Sequence, residues 1–287
     1  MSDPAAHARR ARHQPKPAWT WLLPAAMVIV AAAIPLLVWY AADAILNSAD
    51  GTLRDVDDPT APGYEAAVDP SPSHMVLSLD PAGGLAAVAV MSLGPNTVGG
   101  TVLLIPPETV TAGDIDLRLA DVFAAGGDAA TRQAVADLMS MNVDGHTVLD
   151  GAAWSQITAP AAPITLTTPT DLVTPAGDAV FVQGETAVEA ARVPEYLGWV
   201  NPGENTQGRV QRNVTFWRAW LETIAASEDR ALIPGESSSG FPAMLSGLSG
   251  GQVVVTSVAG TDLDMPDGAR GTQIDIPELR SLCLLYT

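Results

Sequence analysis

The sequence of 287 residues has little of what builds disulfide frameworks, metal centres or nucleic-acid surfaces. It contains one cysteine, Cys283, which excludes an internal disulfide framework and a cysteine-based zinc site. Its four histidines are scattered, which argues against a histidine-rich metal site. Basic residues number 14 against 32 acidic ones, and the net charge of −18 repels a phosphate backbone. We therefore expect no nucleic-acid partner and a fold held together by packing alone.

One long uncharged run lies near the N-terminus. Residues 18–42 carry no charge, and at 1.5 Å per residue such a helix crosses a hydrocarbon core of about 30 Å. Tryptophan and tyrosine lie near its ends, as in aromatic belts. A buried core helix is one alternative, and a cleaved signal peptide, with an apolar region of roughly 7–15 residues, is the other. The length of the run favours a transmembrane helix.

The charges on either side of this run predict its orientation. Four basic residues precede it, namely Arg9, Arg10, Arg12 and Lys16. No Arg or Lys follows it until Arg54. The positive-inside rule then places residues 1–17, a basic tail, in the cytoplasm. We expect a single-pass protein of the cell membrane, with the lipid bilayer as a partner and an acidic extracytoplasmic bulk.

The remaining chain divides by composition and periodicity. Residues 43–73 are rich in Pro, Asp, Gly and Ser and are predicted to form a stalk. Strand-like runs are separated by Gly- and Pro-rich turns, and lie at residues 74–80, 86–93, 100–106, 164–172, 179–183 and 252–258. Helical periodicity covers residues 129–141, after Asp128, and residues 209–226.

Strands interleaved with helices predict an α/β fold, a mixed β-sheet flanked by helices in an α-β-α sandwich after one N-terminal transmembrane helix. The first three strands are expected to form a meander. We assign residues 74–226 to this extracytoplasmic domain and residues 227–287 to a C-terminal extension. The chain stops in an apolar run, Leu282–Thr287, which we expect to be a truncated end.

Arginines are concentrated in one part of the acidic domain. Four lie within a short stretch, namely Arg192, Arg209, Arg212 and Arg218. Arg209 and Arg212 share a face of the first turn of the predicted helix, where they and the free backbone N–H groups would attract a phosphate or carboxylate. Ion pairs with neighbours such as Glu204 or Glu222 are the alternative explanation. Arg218 points elsewhere and is expected at the surface.

Several segments resemble motifs of the LytR-CpsA-Psr family of bacterial envelope proteins. Residues 74–80 are similar to the family's opening strand, which places Asp80 on its terminal aspartate. The sequence Ile-Pro-Pro-Glu-Thr resembles the family's Ile-Pro-Arg-Asp-Thr and places Glu108 on the aspartate. Residues 184–192 resemble a stretch that places Arg192 on its first arginine. Residues 208–213 resemble Gly-Arg-x-x-Arg-Gln, and this match is the most specific.

The resemblance implies transfer of a glycopolymer from a polyprenyl-pyrophosphate carrier onto the cell wall. In that interpretation Arg192, Arg209 and Arg212 bind the pyrophosphate. Asp80 and Glu108 are the implied catalytic residues, and Asp80 is the implied ligand of Mg²⁺. The implied activity is that of a phosphotransferase of the glycopolymer-peptidoglycan ligase type.

The sequence departs from the family pattern at several charged positions. The family's Arg-Ser-Asp-Thr motif has no counterpart in residues 83–87, and Pro107, Pro194 and Thr206 stand where the family has charged residues. Phosphoryl transfer depends on charge neutralisation, so these losses together could abolish turnover while binding survives. Three functions stay open: a transferase with a divergent site, a non-catalytic relative that binds a lipid-linked anion or another envelope protein, and a sensor ectodomain of unrelated descent.

Overall fold

The computed structural model describes residue 27 and residues 31–40, 71–111, 117–227, 232–235, 239–266 and 268–279. The chain divides into two compact units, residues 1–67 and residues 68–287. In the first unit residues 31–40 are helical, and their large apolar side chains are exposed. Among the described residues, no helix is long and apolar enough to cross a membrane. The predicted span over residues 18–42 lies mostly outside them, so the span and its orientation stay predictions.

A five-stranded mixed sheet forms the centre of the second unit. The strands of the described residues are β1 (Ser73–Leu79), β2 (Leu85–Leu93), β3 (Gly100–Ile105), β4 (Gly145–Leu149), β5 (Ile164–Thr168), β6 (Leu172–Val173), β7 (Ala179–Phe181), β8 (Gly184–Val188), β9 (Val253–Ser257), β10 (Gly260–Asp264) and β11 (Arg270–Ile274). The order in the central sheet is β4-β1-β2-β3-β9. Strand β2 is antiparallel to β1 and β3, which confirms the meander, whereas β4 is parallel to β1 and β9 is parallel to β3.

The helices flank this sheet. They are α1 (Leu119–Met139), α2 (Gly151–Thr158), α3 (Val193–Gly198), α4 (Thr206–Ala226) and α5 (Gly240–Ser249). Helix α4 begins after Asn205, whose side chain accepts the N–H of Gly208 at 2.8 Å and so satisfies a backbone donor that the helix cannot. Helix α1 begins ten residues before its predicted start and continues through a kink at Gly127, where φ is +69°.

Side chains of the central strands alternate between two apolar layers. Met75 and Leu77 of β1 pack with α1 on one face. Val76, between them, packs on the other face with residues of α2, α3, α4 and α5. Successive side chains of a β-strand point to opposite faces of the sheet, so a strand that is covered on both faces has apolar residues at every position. The structure confirms the predicted mixed sheet with helices on either side.

Aromatic side chains from three helices fill the second of these layers. This aromatic cluster consists of Trp154, Phe216, Trp217, Trp220 and Phe241. Trp154 is edge-on to Trp217 at 5.7 Å between ring centroids, an arrangement that contributes about 0.5–1.5 kcal/mol beyond area burial. Because Phe241 belongs to α5 and β9 pairs with β3, residues beyond 226 complete the core. The compact unit is therefore larger than the predicted domain of residues 74–226.

Candidate functional site

Two predicted catalytic carboxylates lie at the same edge of the central sheet. Strands β1 and β3 both run antiparallel to β2, so their carboxyl ends meet at one edge. Asp80 follows β1 directly, and Glu108 lies in the loop that leads from β3 to α1. The two strands are separated by β2, or roughly 10 Å at the usual spacing of strands.

Asp80 stabilises the turn between β1 and β2. Its Oδ1 accepts the backbone N–H groups of Ala82 and Gly84, each at 2.8 Å. The backbone N–H of Asp80 donates to the carbonyl oxygen of Gly84 at 2.8 Å. A Cβ on Gly84 would lie 2.8 Å from Oδ2 of Asp80, so a larger residue there would displace the carboxylate. One oxygen of this carboxylate is thus engaged within its own loop.

Arg209 forms an ion pair with Glu108, a residue 101 positions away in the sequence. Nη2 of Arg209, in the first turn of α4, donates to both carboxylate oxygens of Glu108, with 2.5 Å to Oε1. The two side chains are 15% and 23% exposed. A guanidinium group carries five N–H donors, and Nε and Nη1 of Arg209 make no hydrogen bond to any residue that the structure describes. Part of its donor capacity is therefore unused.

Arg212, one turn further along α4, is a buried structural residue. Its side chain is 1% exposed, and Nη1 donates to Oε1 of Glu204 at 2.6 Å. Nη2 donates to the carbonyl oxygen of Trp199. Glu204 also accepts the N–H of Asn201 at 2.9 Å. Arg212 therefore fastens the loop that precedes α4 to the helix itself.

Arg192 lies against the β6–β7 hairpin at the surface. Its Nε donates to Oε2 of Glu195 at 3.0 Å, and Nη2 donates to the carbonyl oxygen of Val180 at 3.2 Å. The guanidinium carbon lies 4.1 Å from the ring centroid of Phe181, a cation–π contact. The side chain is 44% exposed.

The three predicted phosphate-binding arginines thus have three different carboxylate partners. Arg209 alone pairs with another predicted site residue, Glu108. Ion pairing with a near neighbour, the alternative explanation for the cluster, describes Arg192 and Arg212. The anion-binding role of all three stays a prediction.

The predicted carboxylates do not fit a magnesium site in their present contacts. Mg²⁺ requires near-octahedral oxygen ligands at about 2.0–2.1 Å. One oxygen of Asp80 is engaged by its turn, and both oxygens of Glu108 contact Arg209. In the described part of the chain, no group of three or more His, Cys, Asp and Glu residues could hold a metal ion. The Mg²⁺ prediction for Asp80 remains a prediction, and we assign no step to a metal.

The sequence analysis missed Asn213 as a site residue. It lies one turn after Arg209, on the same face of α4, and one turn before Trp217 of the aromatic cluster. Asn213 is buried, and its Oδ1 has no hydrogen-bond partner among the described residues. Buried polar atoms normally have a partner, so this atom makes Asn213 a candidate for contact with a ligand, and the same holds for the other buried polar atoms of α4 without a described partner, Nε of Arg212 and Nε1 of Trp220. Its place four residues after Arg209, inside the most specific motif, was the signal.

Solved structures share this architecture, although no protein-family model and no curated protein matches the sequence. TagV of B. subtilis is 16% identical and superposes with a TM-score of 0.61, over 75% of this chain and 95% of that one. A structure of TagT bound to LIIa-WTA is 16% identical, with a TM-score of 0.62, over 75% and 89% of the two chains. A structure of a LytR-CPS2A-psr family protein, TagT with bound octaprenyl pyrophosphate lipid, is 16% identical and superposes with a TM-score of 0.57. The superposition covers 75% of this chain and 88% of that one.

The chain has the LytR-CpsA-Psr fold. The resemblance inferred from short motifs is therefore confirmed by the architecture. At 16% identity the likeness establishes the fold, and function has to be argued from the side chains of this chain. Within this fold, Arg209 is partly buried, and its Nε and Nη1 donate to no described residue.

Proposed function

We propose that the protein is a cell-envelope protein that binds a polyprenyl-pyrophosphate-linked glycopolymer for attachment to the cell wall. The observation that carries this proposal is the state of Arg209, which is partly buried and donates to Glu108 through one nitrogen, while its Nε and Nη1 donate to no described residue. Phosphate oxygens are the acceptors that a guanidinium fork matches best. Structures of the same fold hold octaprenyl pyrophosphate and LIIa-WTA, which supports this ligand class.

The proposed binding site extends from Arg209 toward the apolar interior. Arg209, Asn213 and Trp217 follow one another at intervals of one helical turn. The buried Oδ1 of Asn213 has no hydrogen-bond partner in the described part of the chain, and the amide nitrogen of Asn213 can donate to a phosphate oxygen. A lipid pyrophosphate combines an anion with an apolar chain, and this row of side chains runs from a cation to an aromatic residue.

Binding is expected to exceed catalysis. Pro107 and Pro194 stand where the family resemblance implies arginines, and Arg212 is committed to Glu204. Phosphoryl transfer depends on several positive groups around the transferred phosphate, and removing one such group costs about 10²- to 10³-fold in rate. A phosphotransferase of the ligase type is the second candidate, favoured by the placement of Asp80 and Glu108 at one sheet edge.

The test is the affinity of the full chain for farnesyl pyrophosphate, a soluble polyprenyl pyrophosphate. Hydrogen bonds to charged groups contribute about 1.5–3 kcal/mol, so Arg209→Ala should weaken binding by roughly tenfold or more. Arg218→Ala is the matched control, because Arg218 lies on the same helix and donates to the carbonyl oxygen of Val255. Equal affinities of the Arg209→Ala and parent proteins would refute the proposal.

We also propose that residues 18–42 anchor the protein in the membrane, with residues 43–73 as an outer stalk. The support is the length of the uncharged run and the basic residues before it. A reporter enzyme that works only outside the cytoplasm, fused after residue 60, should be active. A second reporter enzyme, one that works only in the cytoplasm, should be inactive when fused at the same position. Activity of that second reporter would contradict this orientation.

A further inference from the structure

The C-terminal hairpin holds the loop that carries Glu108. The N–H of Thr272, in β11, donates to the carbonyl oxygen of Glu108 at 2.8 Å. The N–H of Val110 donates to the carbonyl oxygen of Thr272 at 2.9 Å. These two bonds, which form a parallel bridge between Thr109 and Thr272, are called the hairpin clamp below. Glu108 is therefore held by its side chain to Arg209 and by its backbone to β11.

The strand register leaves the backbone of Thr272 available for this clamp. Thr272 lies opposite Asp262 in the antiparallel β10–β11 pair. Residues in such a pair alternate between positions that exchange two hydrogen bonds and positions that exchange none. Both backbone polar groups of Thr272 bond to the loop, so Thr272 and Asp262 form a pair without mutual hydrogen bonds. Loss of the Thr272 N–H would remove the clamp's bond to Glu108, one of its two hydrogen bonds, but no hydrogen bond between β10 and β11.

The hairpin also packs directly on the loop. A Cβ on Gly271 would lie 2.9 Å from Cγ2 of Val110 and 2.8 Å from Sδ of Met265, so one or both of these side chains would have to shift. On its inner side the loop is tied to α1, because the N–H of Leu119 donates to the carbonyl oxygen of Thr109 at 2.9 Å. Breaking the clamp should therefore loosen the Glu108 loop without unfolding it.

We infer that the hairpin clamp holds Glu108 against Arg209 and so limits the access of an anion to that arginine. This inference rests on the proposed function, in which Arg209 binds a pyrophosphate. Glu108 and the pyrophosphate are both anions that compete for one guanidinium group, so a firmly held Glu108 lowers the affinity for the ligand. Thr272 is a positioning residue, which acts through Glu108.

The clamp can be broken by two different substitutions. Thr272→Pro removes the N–H that bonds to Glu108, and Gly271→Ala places a methyl group against the side chain of Val110, between β11 and the loop. Asp262→Pro is the matched control, because it places a proline opposite Thr272 in the same hairpin and leaves the clamp intact. Thermal unfolding of each full-length variant verifies that it folds, and Gly271→Ala serves if Thr272→Pro does not.

The first readout requires no ligand. Phenylglyoxal modifies accessible arginines, and mass spectrometry follows the rate at Arg209. We expect Thr272→Pro and Gly271→Ala to raise this rate by about two- to tenfold, the range of one hydrogen bond, and Asp262→Pro to leave it unchanged. Unchanged labelling of Arg209 in both clamp variants would overturn the inference, whatever the protein binds.

The second readout is the affinity for farnesyl pyrophosphate. We expect Glu108→Gln to raise it about tenfold, and Thr272→Pro to raise it less. Because both act by removing one competitor, the double variant should bind no more tightly than Glu108→Gln alone. If the hairpin only stabilised the fold, Thr272→Pro would lower the affinity, or its effect would add to that of Glu108→Gln in the double variant. Either result would overturn the inference. Failure of Arg209→Ala to weaken binding would refute the proposed function separately.

Discussion

Two arginines that lie three residues apart on α4, Arg209 and Arg212, each form an ion pair with a glutamate, and the two pairs differ in their surroundings. Arg209 and Glu108 are 15% and 23% exposed, and Nε and Nη1 of Arg209 donate to no residue that the structure describes. Arg212 and Glu204 are 1% and 11% exposed, and Arg212 also bonds to the carbonyl oxygen of Trp199. A short motif presents the two arginines as equivalent, but the first lies at the sheet edge and the second faces a loop. Burial therefore separates an arginine that can bind a ligand from one that holds the fold.

The largest test of this contrast is Arg212→Ala. Removing one partner of a buried ion pair leaves an uncompensated charge and costs about 3–5 kcal/mol, so we expect a loss of this size in the free energy of unfolding. Arg209→Ala, at a partly exposed pair, should cost about 1 kcal/mol or less. Denaturant unfolding of both variants measures the difference. Equal losses would show that the two pairs are not distinguished by burial.

Changing the pH tests a buried group outside both pairs. Burial, followed by the charge of His146, lowers the pKa of His74 from 6.5 to about 4. The unfolded chain then binds a proton that the folded chain rejects, so stability is complete above pH 6.5 and falls as the pH drops toward 4. We expect a loss of about 2 kcal/mol between pH 6.5 and 5. His74→Gln should remove most of this slope, and an unchanged slope would assign it to other groups.

Asp80→Ala distinguishes a turn residue from a catalytic one. The variant loses the acceptor for the N–H groups of Ala82 and Gly84, so we expect a loss of about 1–2 kcal/mol in the free energy of unfolding. Affinity for farnesyl pyrophosphate should change less than twofold, since the contacts of Asp80 with described residues lie within its own turn and do not include Arg209. Rapid Mg²⁺-dependent turnover by the parent protein that Asp80→Ala abolishes would instead favour the phosphotransferase.

The smallest expected effect belongs to Arg192→Ala. Its ion pair with Glu195 is exposed, and exposed pairs contribute about 0–1 kcal/mol, with about 0.5–1 kcal/mol more from the contact with Phe181. We expect a loss of about 1 kcal/mol and little change in anion affinity. Loss of affinity comparable to that of Arg209→Ala would place Arg192 in the binding site.

Local patterns predicted the elements whose own residues contain the signal. Strands β1, β2 and β3 follow from apolar runs between Gly- and Pro-rich turns, and α4 follows from its apolar stripe. The sequence predicts only the second half of α1, because a Gly-Gly pair such as Gly126 and Gly127 favours a turn, whereas in the structure the helix continues through a kink at Gly127. Helix α5 was not predicted, because it lies in a Ser/Gly-rich stretch that is typical of loops. Its Gly247 allows close packing against β2, because a Cβ there would lie 2.7 Å from Cδ2 of Leu93.

The sequence by itself determined the uncharged run, the acidic charge, the alternation of strands and helices and the clustering of arginines along the chain. These properties depend on composition and on neighbours within one or two helical turns. Only the tertiary structure decided which carboxylate each arginine meets, because Arg209 and Glu108 are 101 residues apart and no local period connects them. The hairpin clamp could not be predicted for the same reason. Its hydrogen bonds join the backbones of two distant segments, and backbone hydrogen bonds do not depend on residue type.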